Sequence, residues 1–137
     1  MITAVDSNIL IDVLGGDPHF GSYSASLLRE CLQQGAVHAS EVVWTEVATM
    51  FVQDKQFLSN IEKLGIEFSM MNEESALRAA KAWRVYRASG GKRDRIAADF
   101  LIGAHAITQC DQLLTRDKGF YREYFKQLKI MNPVSLM

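Results

Sequence analysis

Four acidic residues of this sequence occupy positions from which their side chains could bind a metal ion. Asp6 directly follows the apolar run ITAV, and Asp117 comes shortly after QLLT, so both are predicted to stand at the ends of buried strands. Glu46 and Asp99 lie inside segments with helical patterns, and Asp99 is the only charged residue in AADFLIGAHA. A buried ionised carboxylate is costly unless it is paired or bound to a metal. Each of these acids therefore needs a partner.

Helical periodicity places Glu46 and Asp99 on the sides of their helices that face the core. Glu46 falls between Val43 and Met50 on the helical wheel, and Asp99 lies about 40° from Gly103 at 3.6 residues per turn. The predicted apolar stripes are Val43, Val47, Met50 and Phe51 in EVVWTEVATMFV, and Ile96, Phe100, Gly103 and Ala104 in the later helix. Both acids should therefore point inward or along the edge of the core.

Each acid taken alone also has a purely structural interpretation. Asp6 and Asp117 could be turn residues, and Glu46 and Asp99 could reach water from the rim of the core. Together, however, the four can converge in one crevice, where like charges repel each other unless a cation lies among them. An Arg or Lys side chain could supply that charge, but Mg²⁺ or Mn²⁺ suits a set of carboxylate oxygens better.

Short polar side chains stand beside two of the acids. Ser7 and Asn8 follow Asp6, and Thr115 precedes Asp117 by two residues. Their hydroxyl and amide groups could orient the carboxylates or water on a metal ion. Ser7 could equally cap the following helix, and Thr115 could be an ordinary strand residue.

Other kinds of catalytic site lack their sequence motifs. The histidines have no paired ligand spacing, which argues against zinc, and the sequence contains neither G-x-S-x-G nor G-x-x-x-x-G-K. Cys31 and Cys110 also lack metal-type spacing and are predicted to be reduced, partly buried thiols.

The elements that must position the acids alternate between strands and helices. Strands are predicted at MITAV, AVHA, IEFSM, QLLT and LKIMN, with Ser40, Asn72 and Asp94 as N-caps of three of the intervening helices. RDKGF is expected to form a turn before a short helix, YREYF. This alternation predicts an α/β fold whose central, mostly parallel sheet is covered on both faces. Ligands of such sheets bind at the carboxyl ends of the strands, where the strand order reverses.

Length and composition are those of one globular domain spanning residues 1–137. Hydrophobic residues make up 48% of the chain and charged residues 23%, and no apolar run approaches the length of a membrane span. The start of the chain does not resemble a signal peptide, so we expect a cytoplasmic protein without membrane contact. Residues 1–77 hold 3 basic and 11 acidic residues, and residues 78–137 hold 12 and 5. The surface could therefore have an acidic and a basic region, unless folding mixes the two.

With these residues assembled, the chain resembles the PIN-domain family of metal-dependent ribonucleases, and most closely the VapC-type toxins of toxin–antitoxin pairs. The resemblance runs through VDSNILID, WTEV, RIAADFLIGAHA and LLTRDKGF to LKIMNP, in matching order and spacing. It implies a PIN-like three-layer α/β/α sandwich. It also implies a Mg²⁺- or Mn²⁺-dependent endoribonuclease that hydrolyses RNA phosphodiester bonds, a cognate antitoxin that covers the acidic crevice, and a homodimer.

The same resemblance assigns the site residue by residue. The family's four catalytic and metal-binding acids match Asp6, Glu46, Asp99 and Asp117, its hydroxyl residue matches Thr115, and its asparagine matches Asn8. A PIN nuclease of RNA processing without an antitoxin, and an inactive PIN-like binding module, are the alternatives. The presence of all four acids argues against the inactive module. A dehalogenase-type phosphatase is excluded because position 8 is Asn, where that chemistry needs a second Asp.

A basic segment, LRAAKAWRVYRASGGKR, supplies candidate contacts for the phosphates of an RNA strand. The candidates are Arg84, Arg87, Lys92 and Arg93, and the alternative is that they form a solvated face. Trp83 and Tyr86 lie between them and could stack on bases, but packing in the core is the favoured interpretation.

Overall fold

A five-stranded sheet forms the centre of the molecule. The computed structural model describes residues 1–92 and 97–137. The strands are β1 (Ile2–Val5), β2 (Ala36–Ala39), β3 (Ile66–Phe68), β4 (Gln112–Leu114) and β5 (Ile130–Met131). Their order is β3-β2-β1-β4-β5, and every neighbouring pair is parallel. The predicted α/β sheet is therefore confirmed, and it is parallel throughout.

Helices flank the sheet and complete the predicted three-layer sandwich. They are α1 (Ser7–Leu14), α2 (Gly21–Gln34), α3 (Glu41–Ala48), α4 (Asp54–Leu64), α5 (Glu73–Ala88), α6 (Ala97–Gln109) and α7 (Lys118–Tyr124), followed by a 3₁₀ helix over Pro133–Leu136. α1 packs on α2 and α3, while α5 packs on α6 and α7. Among the described helices, none is both long and apolar enough to cross a membrane.

The strand order reverses between β1 and β4. From β1 the chain moves outward to β2 and β3, and after α6 it returns to the other side of β1 to add β4 and β5. Val5 pairs with Leu114 at the carboxyl ends of the two central strands. The residues that follow these ends, Asp6 and Thr115, therefore stand at the point where parallel sheets bind ligands.

The helix that carries Asp99 is fixed by its apolar neighbours. Phe100 and Ala104 are fully buried, as the predicted stripe requires. A side chain at Gly103 would overlap the ring of Phe125, so the small residue admits an aromatic ring. Asp99 itself is half-buried. Asp94 and Ile96, the predicted cap and first stripe residue, lie outside the described residues.

Two predictions about helix ends were wrong. α3 stops at Ala48, because the amides of Met50 and Phe51 bond to carbonyls three residues earlier and tighten the last turn. Met50, predicted to be in the apolar stripe, is consequently 40% exposed. RDKGF is not a free turn, because Asp117 is the N-cap of α7 and its Oδ1 accepts the amide of Phe120.

Three predicted caps can be compared with the structure. Asn72 caps α5 by accepting the amide of Ser75 at 2.8 Å. Ser40 occupies the N-cap position of α3 but makes no capping hydrogen bond with its side chain. The N-cap of α1 is Asp6 and not Ser7, because the carboxylate accepts the amide of Ser7. The hydroxyl of Ser7 is thereby left for another partner.

Candidate active site

Asp6 is the most buried of the four candidate acids, with 5% of its surface exposed. Its Oδ1 accepts the amide of Ser7 at 2.7 Å, and its Oδ2 accepts the hydroxyls of Thr115 at 2.7 Å and Tyr121 at 3.0 Å. Burial raises the pKa of Asp6 to about 6, although these hydrogen bonds oppose the rise and the charge of Asp99 adds to it. A nearby cation would stabilise the ionised form of this buried carboxylate.

Ser7 connects Asp6 to Glu46. Its backbone amide binds Asp6, and its hydroxyl donates to Oε1 of Glu46 at 2.6 Å. β1 and α1 position the first acid and α3 positions the second, so one residue holds together carboxylates from two parts of the fold. The Ser7 hydroxyl thus contacts a candidate acid, and its role in orienting that carboxylate stays a prediction.

Thr115 connects the Asp6 carboxylate to the backbone of Asp117. Its hydroxyl donates to Oδ2 of Asp6 and accepts the amide of Asp117 at 3.0 Å. The amide nitrogen of Asn8 lies 3.4 Å from both Asp6 Oδ2 and Thr115 Oγ1, and its oxygen accepts the backbone amide of Arg116. The three short polar residues expected from the sequence therefore surround Asp6.

Asp99 interacts electrostatically with Asp6 and with Tyr121. The pKa of Tyr121 is raised well above its usual value, first by burial and then by the charges of Asp6, Asp99 and Asp117. Three of the candidate acids therefore act on one buried hydroxyl. Glu46 joins them through Ser7.

Sequence reasoning missed Tyr121. It is fully buried in α7, and its hydroxyl donates to Asp6. A signal was present, because Tyr121 follows Asp117 by four residues and so lies one helical turn beyond it. The interpretation of RDKGF as a free turn obscured that spacing.

A second buried acid, Asp12, was also missed. It interrupts the apolar run NILIDVL as Asp99 interrupts its own helix. Nε and Nη2 of Arg116 donate to its two oxygens at 2.7 and 3.1 Å, and Ser24 donates at 2.8 Å. The guanidinium of Arg116 also lies 4.1 Å from the ring centroid of Phe20. Arg116, between Thr115 and Asp117 in sequence, is thus bound to Asp12.

The donor set suits a hard divalent cation, although the side chains are engaged with one another. Carboxylate oxygens are the ligands that Mg²⁺ and Mn²⁺ prefer, and a cation offsets the repulsion that Asp99 exerts on Asp6. Within residues 1–92 and 97–137, no three His, Cys, Asp or Glu side chains are grouped closely enough to hold an ion as they stand. Asp6 Oδ2 and Glu46 Oε1 instead accept hydroxyl groups.

The basic candidates divide between exposed and undescribed residues. Arg84, Arg87 and Lys92 are exposed, and Arg93 lies outside the described residues. Trp83 stacks on Phe100 with ring centroids 5.8 Å apart, and Tyr86 packs on the same ring. The favoured interpretation of the two aromatic residues as core packing is confirmed.

Comparison with known proteins identifies one matching family and several similar structures. A family model described as PIN domain matches residues 3–126. A chain of VapBC2 from Rickettsia felis, bound to a DNA fragment from their promoter, superposes with a TM-score of 0.74 at 18% identity and covers 96% of this chain and 98% of its own. A chain of VapBC-1 from nontypeable Haemophilus influenzae gives a TM-score of 0.72 at 20% identity and covers 98% of this chain and 99% of its own. A chain of DNA-bound VapBC from Salmonella typhimurium gives a TM-score of 0.71 at 15% identity and covers 97% of this chain and 98% of its own. No curated protein sequence matches the chain.

Proposed function

Because the chain belongs to the PIN domain family, a family of nucleases, we propose that it is a metal-dependent endoribonuclease and the toxin of a toxin–antitoxin pair. One observation carries the proposal. The buried carboxylate of Asp6 is joined through Ser7 to the carboxylate of Glu46 and through Thr115 to the backbone amide of Asp117, and it also experiences the charge of Asp99. The substrate is RNA, and residues 1–137 act as one PIN domain.

The four carboxylates, Asp6, Glu46, Asp99 and Asp117, are the proposed ligands of Mg²⁺ or Mn²⁺. They are also the proposed catalytic residues. When bound, such a cation acts as a Lewis acid on the phosphodiester and lowers the pKa of water. The pKa of Asp6, about 6, allows it to be ionised at neutral pH and available as a ligand.

The polar neighbours of Asp6 set the direction of its oxygens. Thr115 and Tyr121 both donate to Oδ2, while the Ser7 amide holds Oδ1. The carboxylate plane is thereby fixed before any ligand arrives, which limits the reorganisation that binding requires. The bidentate contact with Asp12 commits the Arg116 guanidinium to that acid, so it does not compete for the catalytic carboxylates.

Exposed basic residues are the proposed contacts for RNA phosphates. Arg84 and Arg87 project from α5, and Lys92 follows it. The Tyr86 hydroxyl donates to the carbonyl of Lys92 at 3.0 Å, and the Tyr86 ring lines the same hollow as Asp117. The proposal extends to Arg93 from the sequence alone.

A cognate antitoxin and a second copy of the chain are the proposed protein partners. VapBC assemblies from three bacteria are among the similar structures, and the complex from Klebsiella pneumoniae is described as a toxin–antitoxin complex. A hollow of about 550 Å³ between α3 and α4, lined by Trp44, Phe57 and Leu58 among others, supplies apolar surface on the helix that carries Glu46. A small reading frame beside this gene, encoding the inhibitor, is the genetic feature that the proposal requires.

Cleavage of total cellular RNA tests the proposed activity. The protein should cleave RNA with Mg²⁺ or Mn²⁺ and be inactive with EDTA. Sequencing of the fragment ends should show defined cleavage sites. Asp117→Asn should abolish those ends while leaving the melting temperature close to that of the wild type. Equal cleavage by wild type and variant, or activity that survives EDTA, would contradict the proposal.

A further inference from the structure

The basic residues of α5 lie on two sides of the helix. Arg78, Lys81 and Val85 line one groove, while Arg84 and Arg87 line a different hollow together with Trp83. At about 100° per residue, Arg78, Lys81 and Val85 fall within about 60° of one another on the helical wheel, whereas Arg84 and Arg87 lie about 120° and 180° from Arg78. The sequence run LRAAKAWRVYR is therefore not one continuous phosphate track in the folded protein.

The first of these grooves, called here the α5–α7 groove, has a volume of about 450 Å³. Three cationic side chains stand around it, Arg78 and Lys81 from α5 and Lys126 from just beyond α7. Ala82, Val85 and Ile107 provide an apolar lining. Cationic side chains beside apolar surface are the two features with which proteins bind the phosphates and bases of single strands.

Arg78 is held in place by the end of α7. Its Nη2 donates to the carbonyl of Tyr124 at 3.4 Å, and its guanidinium lies 4.8 Å from the ring centroid of Phe125. A guanidinium fixed in this way loses little conformational entropy when it binds a phosphate. Lys81 and Lys126 are exposed, so their ammonium groups are accessible from solvent.

The α5–α7 groove adjoins the candidate active site. A neighbouring hollow of about 320 Å³ is lined by Asp117, Phe120 and Tyr86, and it shares Glu123 and Tyr124 with the groove. A strand that passes over these two residues would connect Asp117 to the three cationic side chains. Among the residues that the structure describes, the hollow that contains Arg84 and Arg87 shares no lining residue with the one that contains Asp117.

We propose that the α5–α7 groove binds the segment of single-stranded RNA that leads away from the cleaved bond. The inference rests on the proposed function, because the RNA that binds in the groove is the proposed substrate of the candidate active site. Arg78, Lys81 and Lys126 bind phosphates, and Glu123, at the junction of the two hollows, opposes them with one negative charge. A second copy of this chain is the competing occupant of the groove.

Binding of a fluorescent single-stranded RNA in EDTA tests the groove without requiring cleavage. Lys81→Gln/Lys126→Gln should weaken binding about tenfold and lower the salt slope by about 1.4, the value for two lost phosphate contacts on a single strand. Glu123→Gln should tighten binding about threefold, because it removes the opposing charge. The matched control is Lys55→Gln/Lys63→Gln, which changes two exposed lysines of α4 and should leave both quantities near wild type.

The outcomes separate this inference from the proposed function. No measurable RNA binding by the wild type, equal losses in the two lysine pairs, or wild-type binding by Lys81→Gln/Lys126→Gln would each overturn the inference. Sedimentation of the same variants covers the competing occupant, since loss of a dimer with unchanged RNA binding would assign the groove to a second copy. If the wild type binds RNA through the groove but does not cleave RNA with Mn²⁺, the proposed activity is refuted. The inference that the groove binds RNA would then still hold.

Discussion

The Ser7 hydroxyl donates a 2.6 Å hydrogen bond to Oε1 of Glu46. The two residues are 39 positions apart in the chain, and the bond joins α1 to α3 beside the buried Asp6. Because the Ser7 amide binds Asp6, rotation of the Glu46 side chain is coupled to the position of the first acid. This bond makes Ser7 a positioning residue for the Glu46 carboxylate.

Ser7→Ala should lower RNA cleavage about 10- to 100-fold through loss of metal affinity, the range typical of residues that orient metal ligands. Its cost in stability should be only about 1 kcal/mol, because the half-buried Glu46 carboxylate can bind water instead. Thr45→Ala is the matched control. Thr45 precedes Glu46 in the chain, and its hydroxyl donates to the backbone carbonyl of Glu41 and not to an acidic side chain. Equal activity losses in the two variants, measured at saturating and limiting Mn²⁺, would contradict the positioning role.

The pH dependence of stability should report the burial of Asp6 in metal-free protein. Its pKa is about 6 in the folded chain, against an unperturbed 3.8. The folded state therefore holds this proton more tightly than the unfolded chain does. The resulting contribution to stability is fully present below pH 3.8 and is lost as the pH rises through about 6. The loss amounts to roughly 3 kcal/mol at most.

Asp6→Asn should lack that loss, so the difference between the two unfolding free energies should change between pH 4 and pH 7 in EDTA. His105 acts with the opposite sign, since burial lowers its pKa and its contribution is lost as the pH falls below 6.5. It is common to both proteins and cancels in the difference. Parallel stability curves for wild type and variant would show that Asp6 does not titrate in this way.

Much of the site could be predicted because it lies close to signals that are local in sequence. Asp6 follows its strand directly, and Ser7, Asn8 and Thr115 stand within two residues of a predicted acid. The reversal of strand order then brings the ends of β1 and β4 together, as parallel α/β sheets do. Local pattern and sheet topology thus sufficed for the sheet and for the three short polar neighbours of Asp6.

The parts that could not be predicted depend on contacts between distant positions. The Tyr121 hydroxyl binds Asp6 across 115 positions, and Arg116 binds Asp12 across 104. Lys126 joins Arg78 at a groove that no single segment encodes. Helical periodicity also failed for Met50, because a tightened final turn ended α3 before the pattern did. Side-chain partners of this kind are set by tertiary packing, which periodicity does not specify.

Replacement of Arg84 and Arg87 with Ala should weaken RNA binding and reduce its salt slope by about 1.4 if both contact phosphates. The fold should be unaffected, because both side chains are exposed. Binding measured by fluorescence anisotropy between 50 and 300 mM salt provides the slope. An unchanged slope would show that these arginines form a solvated face.

Addition of the antitoxin should inhibit cleavage and slow amide exchange around Glu46 and Asp99. The physical reason is that a chain segment lying over the acidic crevice closes the local openings through which amides exchange. The protein encoded by the neighbouring reading frame is the reagent, and exchange in α2, which carries none of the four acids, is the internal reference. Inhibition without protection of α3 and α6 would place the partner elsewhere.

The Mn²⁺-induced change in melting temperature of Asp99→Asn distinguishes a metal-binding carboxylate from a purely structural one. A ligand at a hundredfold excess over its dissociation constant stabilises the folded state by about 2.7 kcal/mol, which for a chain of this size corresponds to roughly 10 °C. Wild type and the control Asp54→Asn, an exposed acid of α4, should both show this shift relative to EDTA. Asp99→Asn should show little shift, yet be at least as stable as wild type in EDTA because a charge acting on Asp6 is removed. A full Mn²⁺ shift in Asp99→Asn would contradict the assignment of Asp99 to a metal-binding catalytic site.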